Sequence, residues 1–313
     1  MVELIRKTST FSSTNGKNDV HYYVIEPAGE PKAIVQFLHG MAEHSERYVD
    51  FGNYLAENGV VFCISDQLGH GKSVKNDDEL GYFGEKNGWK YLVEDAAKLT
   101  NIIKAQYPDI PYIIAGHSMG SFVTRAYISK YGDLADATVI IGTGNATPII
   151  SMGKVITSLI GLFKGKMYRS KMLDNLSFGS YNKKISNAYT SFDWLSTDTD
   201  NINEYVEDPY CGFVFTAAGF ADVAEMMCFV SSKKWADSIN KDLPVLLISG
   251  KEDPVGNYGE FPSKIEGMLK SSGVKDVTLR LFEGDRHEII NEADRPEVYR
   301  YILEWVKKIS TKA

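Results

Sequence analysis

One stretch, Gly116-His117-Ser118-Met119-Gly120, constrains this chain more than any other. It reads G-x-S-x-G, the pattern of a sharp turn that carries a serine from a strand into a helix. The apolar run Pro111-Tyr112-Ile113-Ile114-Ala115 precedes it and predicts a buried strand. Phe122, Val123, Ala126, Tyr127 and Tyr131 follow it at helical spacing. A strand that turns this tightly into a helix strains the residue at the corner, so Ser118 is expected at φ > 0 with its hydroxyl over the end of a sheet. Gly116 and Gly120 carry no Cβ, which lets strand and helix approach around it. The Met119 N–H falls at the helix start, where backbone donors are unpaired and the dipole favours negative charge. G-x-S-x-G also arises by chance; the strand before and helix after are what the catalytic reading demands.

The rest of the chain alternates around this turn. Residues 1–26 read as strand, polar turn (Ser12 to Asp19) and strand (Val20 to Ile25), a hairpin pattern. Strands are predicted at Ala33–Leu38, Val60–Ile64 and Ala137–Ile141. Helices are predicted at about 47–58, stopped by Gly59, and 89–106, with Leu92, Ala96, Leu99 and Ile103 on one face. Strand-helix alternation implies a mainly parallel sheet covered on both faces. From Asn145 to Asn240 the alternation stops and only helical patterns remain. It resumes with a strand at 244–250, a helix near 261–271, a strand at Val277–Phe282 and a helix near 295–309. The expected organisation is therefore a discontinuous core, 1–144 and 241–313, with a helical cap, 145–240, inserted between two core strands.

Composition narrows the class. The 313 residues are 43% hydrophobic and 24% charged, ordinary for a globular protein. The net charge of −7 and the absence of a dense Lys/Arg run argue against a nucleic-acid partner. The first residues hold an acidic side chain and no signal-like apolar stretch, and no apolar run approaches the ~18 residues of a membrane span. Cys63, Cys211 and Cys228 are far apart in sequence and odd in number, fitting neither a disulfide framework nor a zinc motif. A cytoplasmic setting is the simplest expectation.

Ser118 needs a base. Of six histidines only His287 follows it, on the turn leaving the last predicted strand, where groups collect in open α/β sheets. The acid should lie between them. Lys251-Glu252-Asp253-Pro254 follows a strand directly, with Asp253 the first choice and Glu252 its neighbouring competitor; an Asp before Pro is also a common turn former. Asp285 is close to His287 in sequence but on the same turn. A second oxyanion donor is expected from the loop His39-Gly40-Met41-Ala42-Glu43-His44, at the Met41 N–H, beside that of Met119. His39 and His44 invite a metal reading, but Glu43 is the only carboxylate in that loop, so they are read as loop support. No metal and no cofactor are expected.

Several pieces resemble one family. His39-Gly40-Met41-Ala42-Glu43-His44-Ser45-Glu46-Arg47-Tyr48 is similar to the H-G-x-x-E-H-S-x-R-Y stretch of monoacylglycerol lipases and related lysophospholipase-type hydrolases. Asp66-Gln67-Leu68-Gly69-His70-Gly71-Lys72-Ser73 resembles their D-x-x-G-H-G-x-S loop, the serine turn their G-H-S-M-G, and Gly250 to Gly256 their acid loop. The resemblance covers nearly all of the core. It implies an α/β-hydrolase fold with a mostly parallel eight-stranded sheet, the triad Ser118, Asp253 and His287, and Met41 and Met119 as oxyanion donors. In the cap, Phe192-Asp193-Trp194-Leu195-Ser196 and Asp208-Pro209-Tyr210-Cys211-Gly212-Phe213 look like patches of bacterial lysophospholipases.

The cap sets the substrate. Ile149, Met152, Ile156, Leu159 and Phe163 recur at helical spacing, with Lys154, Lys164, Lys166, Arg169 and Lys171 in or just beyond them. Packing onto the core is the ordinary use of such a face. Leu159 and Phe163 are the candidates for touching an acyl chain, and transient contact with a lipid interface is the other use. The leading function is hydrolysis of carboxylic esters, monoacylglycerol or lysophospholipid in type, through an acyl-enzyme. The alternatives are the same acyl-enzyme chemistry in a prolyl-type peptidase, a thioesterase or an acyltransferase, or a non-catalytic ligand receptor on the same fold. Acyl length, head group and oligomeric state are not encoded in any motif.

Overall fold

The computed structural model describes residues 4–311. The chain opens with a hairpin, β1 (Ile5–Ser12) antiparallel to β2 (Asp19–Glu26). The core then runs β3 (Ala33–Leu38), α1 (Val49–Glu57), β4 (Val60–Ser65), α2 (Gly88–Gln106), β5 (Tyr112–His117), α3 (Met119–Tyr131) and β6 (Ala137–Ile141). Five helices follow: α4 (Pro148–Lys164), α5 (Lys171–Phe178), α6 (Thr199–Glu207), α7 (Ala217–Val230) and α8 (Lys233–Ser238). The chain closes with β7 (Val245–Gly250), α9 (Glu260–Ser271), β8 (Val277–Phe282) and α10 (Arg295–Ser310).

The eight strands form one sheet in the order β1-β2-β4-β3-β5-β6-β7-β8. β2 meets β4 antiparallel, and every pairing from β4 onward is parallel. This is the mostly parallel, helix-flanked sheet expected from the alternation.

Strands β3 to β7 are buried along their whole length, as strands covered on both faces must be. The two-residue alternation sorts their side chains. Ile34, Cys63, Ile114 and Leu247 face a core completed by Leu92 and Leu99 of α2 and Val123 of α3. Val35, Phe62, Ile113 and Ile248 face the other, completed by Phe51 and Leu55 of α1 and Ile302 and Val306 of α10. The loops after β3, β5, β7 and β8 all leave from the carboxyl edge, which is what brings distant residues together.

Between β6 and β7 the regular elements among the described residues are helices joined by loops, with one isolated bridge, Arg169 with Thr216. The last of these helices packs into the core. Trp235 on α8 is fully buried, its indole N–H donates to Arg125 O at 2.6 Å, and the Arg125 guanidinium stacks on its ring. Ala236 and Ile239 join the same core. Phe220, Met226 and Val230 of α7 belong to that core too, so the inserted helices share the packing of the sheet's helical layer. Among the described residues no helix is long and apolar enough to cross a membrane.

Candidate active site

Ser118 sits at φ 53° and ψ −119°, a region an L-residue enters only under constraint. The constraint is the strand-to-helix corner between β5 and α3. Ser118 N–H donates to Ile141 O of the neighbouring strand at 3.0 Å, and Ser121 N–H donates back to Ser118 O at 2.9 Å. A Cβ on Gly120 would collide with Leu38 O, and one on Gly116 with Gly120 O, so only glycine lets α3 lie this close to β3 and β5.

His287 leaves β8 on its loop and is buried. Its Nδ1–H points to Asp253 Oδ2 at 3.0 Å. Asp253, fully buried, is itself held: Val255 N–H donates to Oδ1 at 2.8 Å and Ser249 Oγ to Oδ2 at 3.3 Å. Glu252, its neighbour, is exposed. Asp285 turns toward Asp294 and Glu292, where burial and these acidic neighbours push its carboxyl up to about 8. The free ring nitrogen of His287, Nε2, is buried without a hydrogen-bond partner among the described residues. Ser118 and His287 line one cavity.

The loop after β3 forms the opposite wall, with Gly40 and Met41 on the cavity. Two neutral histidines hold it. Burial keeps His39 below its ordinary pKa; its Nδ1–H donates to Gly40 O at 2.8 Å and its Nε2 accepts Gln67 N–H at 3.0 Å. Burial lowers His70 to about 3; its Nδ1–H donates to Leu68 O at 3.0 Å and its Nε2 accepts Ala42 N–H at 3.3 Å. Ala42, at φ 53°, is held from the insertion as well: Tyr205 Oη and Gly212 N–H both donate to its carbonyl at 2.9 Å. Met119 opens α3, so its N–H has no earlier helical carbonyl to bind.

A buried charge network joins this loop to the histidine loop. Glu43 accepts from Gly40 N–H, from Tyr48 Oη at 2.8 Å and from Arg47 at 2.9 Å. Arg47 also grips Glu288, the residue after His287. Burial alone would raise both carboxyls; Arg47, with His117, holds them below the usual carboxylate range. His117 Nδ1 faces Tyr48 Oη at 3.0 Å, and Nε2 faces His287 O at 3.1 Å. Burial opposes charge on His117, but Glu43 outweighs it and moves its pKa above the ordinary value. Sequence reasoning missed Arg47, His117 and Glu288. The Glu43–Arg47 spacing of four was legible; the pairing of Arg47 with Glu288 spans 241 residues and left no local mark.

The cavity encloses about 730 Å³. Its inner wall is apolar, from Phe122, Leu173, Phe220, Val223 and Met227, and Lys183, Lys184 and Asn257 also border it. The expectation for Leu159 and Phe163 needs correcting. They are 50% and 80% exposed, and neither lines the cavity. Helix α4 turns Ile150, Gly153 and Thr157 inward instead, and leaves Met152, Val155, Leu159, Leu162 and Phe163 outside. The helix is apolar on both sides, so its periodicity could not say which side α7 and the core would cover. The side chain of Ile149 lies outside the described residues.

A model of the family described as serine aminopeptidase, S33 matches residues 29–294. The chain is 24% identical over 315 residues to a monoacylglycerol lipase of Mycolicibacterium smegmatis, covering 98% of this chain and 99% of that one. It is 27% identical over 310 residues to an abhydrolase domain-containing protein of Dictyostelium discoideum, spanning 96% of this chain but 29% of that longer protein. Among solved structures, a thermostable carboxyl esterase from Bacillus coagulans in complex with glycerol superposes with a TM-score of 0.91 at 30% identity, covering 97% and 99% of the two chains.

Proposed function

The chain belongs to the serine aminopeptidase S33 family of the α/β-hydrolase fold, and from that premise we propose that it hydrolyses carboxylic esters of single acyl chains, monoacylglycerol or lysophospholipid in type. One observation carries the reading: a strained serine and a carboxylate-held histidine open onto one apolar cavity of about 730 Å³. Esterase and monoacylglycerol lipase relatives support the ester bond and the glycerol-type head group.

In this mechanism Ser118 Oγ attacks the ester carbonyl while His287 Nε2 takes its proton. Asp253 keeps His287 in the tautomer with hydrogen on Nδ1 and stabilises the imidazolium. The N–H groups of Met41 and Met119 receive the oxyanion, and a donor of this kind is worth about 3 kcal/mol or more. His287 returns the proton to the leaving alcohol. Water, activated by the same nitrogen, then releases the acid. The acyl chain lies along Phe122, Phe220 and Val223.

The outer face of α4 carries Val155, Leu162 and Phe163 exposed beside Lys154 and Lys164. Apolar side chains flanked by cations suit brief contact with the surface from which such substrates are drawn. The three cysteines are unpaired, which suits a reducing cytoplasm.

The test is a panel of p-nitrophenyl esters of rising chain length beside monoacylglycerol, lysophospholipid and an aminoacyl amide. Turnover of the acyl esters supports the reading. Turnover of the aminoacyl amide alone replaces it with a peptidase.

A further inference from the structure

Cys211, read in sequence as an isolated thiol, is not isolated in space. A ring nitrogen of His44, a carboxylate oxygen of Asp208 and Cys211 Sγ all lie within 4.8 Å of one another. We propose that these three side chains form a binding site for a zinc-class dication, at the seam between the inserted helices and the loop after β3.

The donor set is the first argument. One imidazole nitrogen, one carboxylate oxygen and one thiolate sulfur are the ligand types that zinc takes, and three protein ligands with water as the fourth is a known coordination pattern. Mixed nitrogen and sulfur donors also select zinc, cobalt and cadmium over magnesium or calcium. Two of the three donors come from one turn. Pro209 occupies its second position, and Cys211 N–H closes it onto Asp208 O at 3.0 Å. Tyr210 N–H donates to Asp208 Oδ1 at 2.7 Å, leaving Oδ2 aimed at His44 Nε2, 2.8 Å away. The two ligands that face each other across the seam are thus held before any cation arrives.

The surroundings are the second argument. His44 and Cys211 are nine-tenths buried and Asp208 partly so. Glu43 and Glu288 stand nearby against Arg47 and His117, so the surroundings do not repel a cation beforehand. Burial pushes the Cys211 thiol up, and Arg47 offsets this only in part. Loading therefore expels the thiol proton to solvent, while the His44 proton moves to Nδ1 and frees the Nε2 lone pair. No oxidation is involved.

The position gives the site a consequence. Asp208 and Cys211 belong to the segment whose Tyr205 and Gly212 hold Ala42 O, and His44 lies two residues after Ala42 in the same loop. A bound cation joins the inserted segment to the loop that shapes the cavity wall, and stiffens both.

The experiment uses full-length protein stripped by chelator and titrated with Co²⁺ under reducing conditions free of added thiols. The expected result is one equivalent bound, with a thiolate-to-cobalt charge-transfer band in the near ultraviolet that one equivalent of Zn²⁺ abolishes. Cys211→Ser should remove the band and weaken Zn²⁺ by about tenfold or more, whereas Cys228→Ser should keep both. Asp208→Asn and His44→Gln should weaken Zn²⁺ as well, and stand in if Cys211→Ser does not fold. No band in the parent protein, or a band that survives Cys211→Ser or vanishes in Cys228→Ser, overturns the site.

Discussion

The guanidinium of Arg47 forks onto the carboxylate of Glu288, Nη1 to Oε1 at 2.6 Å and Nη2 to Oε2 at 2.7 Å. Arg47 also binds Glu43, whose carboxylate takes the Gly40 N–H beside the candidate oxyanion loop. Glu288 is the residue after His287. One guanidinium therefore ties the loop that would receive the oxyanion to the loop that carries the proposed base.

Breaking that tie should act on both stability and rate. Removing one partner of a buried ion pair strands the other and costs about 3–5 kcal/mol. Arg47→Met and Glu288→Gln should each lower the midpoint of denaturant unfolding. In the fraction that folds, kcat on a soluble ester should fall by about 10²-fold, the scale of a 1 Å misplacement of catalytic groups. A double-mutant cycle checks the coupling: the combined loss should be smaller than the two single losses added. Strict additivity would separate the two loops.

Ser118→Ala should abolish ester turnover and labelling by a fluorophosphonate probe while leaving the unfolding curve unchanged. Asp253→Asn should lower kcat by about 10⁴ by stabilising the wrong His287 tautomer. Glu252→Gln should leave it near normal, since Glu252 is exposed. Comparing kcat of the Asp253 and Glu252 variants decides which carboxylate serves.

The inner and outer faces of the insertion should separate in kinetics. Each buried CH₂ is worth about 0.8 kcal/mol, or roughly fourfold in kcat/KM, until the pocket is full. Val223→Trp fills the cavity and should shift the optimum to shorter esters while p-nitrophenyl acetate is cleaved normally. Phe163→Asp, on the outer face, should leave chain-length preference among soluble esters intact and reduce turnover only on lipid vesicles. A shifted preference in Phe163→Asp would put that residue back inside the pocket.

Asp222 on α7 accepts the backbone N–H groups of Gly88 and Trp89 at the start of α2. Burial raises its pKa from 3.8 to about 7, with those two donors opposing the rise. Between the unfolded and folded values the native state holds the extra proton, so this group's contribution is complete below about pH 4 and is lost as pH rises to about 7. At 1.36 kcal/mol per unit the loss amounts to as much as ~4 kcal/mol. Asp222→Asn, which cannot ionise, should unfold later than the parent at pH 8 and lose that advantage at pH 4. Urea melts at the two values measure the sign directly. An equal effect at both would show that the carboxyl does not titrate in this range.

Nearly every core element was legible from the chain. Short apolar runs located β3, β6 and β8 to the residue, and the glycines at 116 and 120 announced the serine corner. Both signals are local: they depend on backbone periodicity and on which residues tolerate a tight turn. Packing decided the rest. Which face of α4 is left exposed depends on α7, and the bond from Trp235 to Arg125, the Arg47–Glu288 fork and the meeting of His44 with Asp208 and Cys211 join segments tens to hundreds of residues apart. A side chain's partner across such a distance is set by how whole layers stack, and no window of sequence contains both members of the pair.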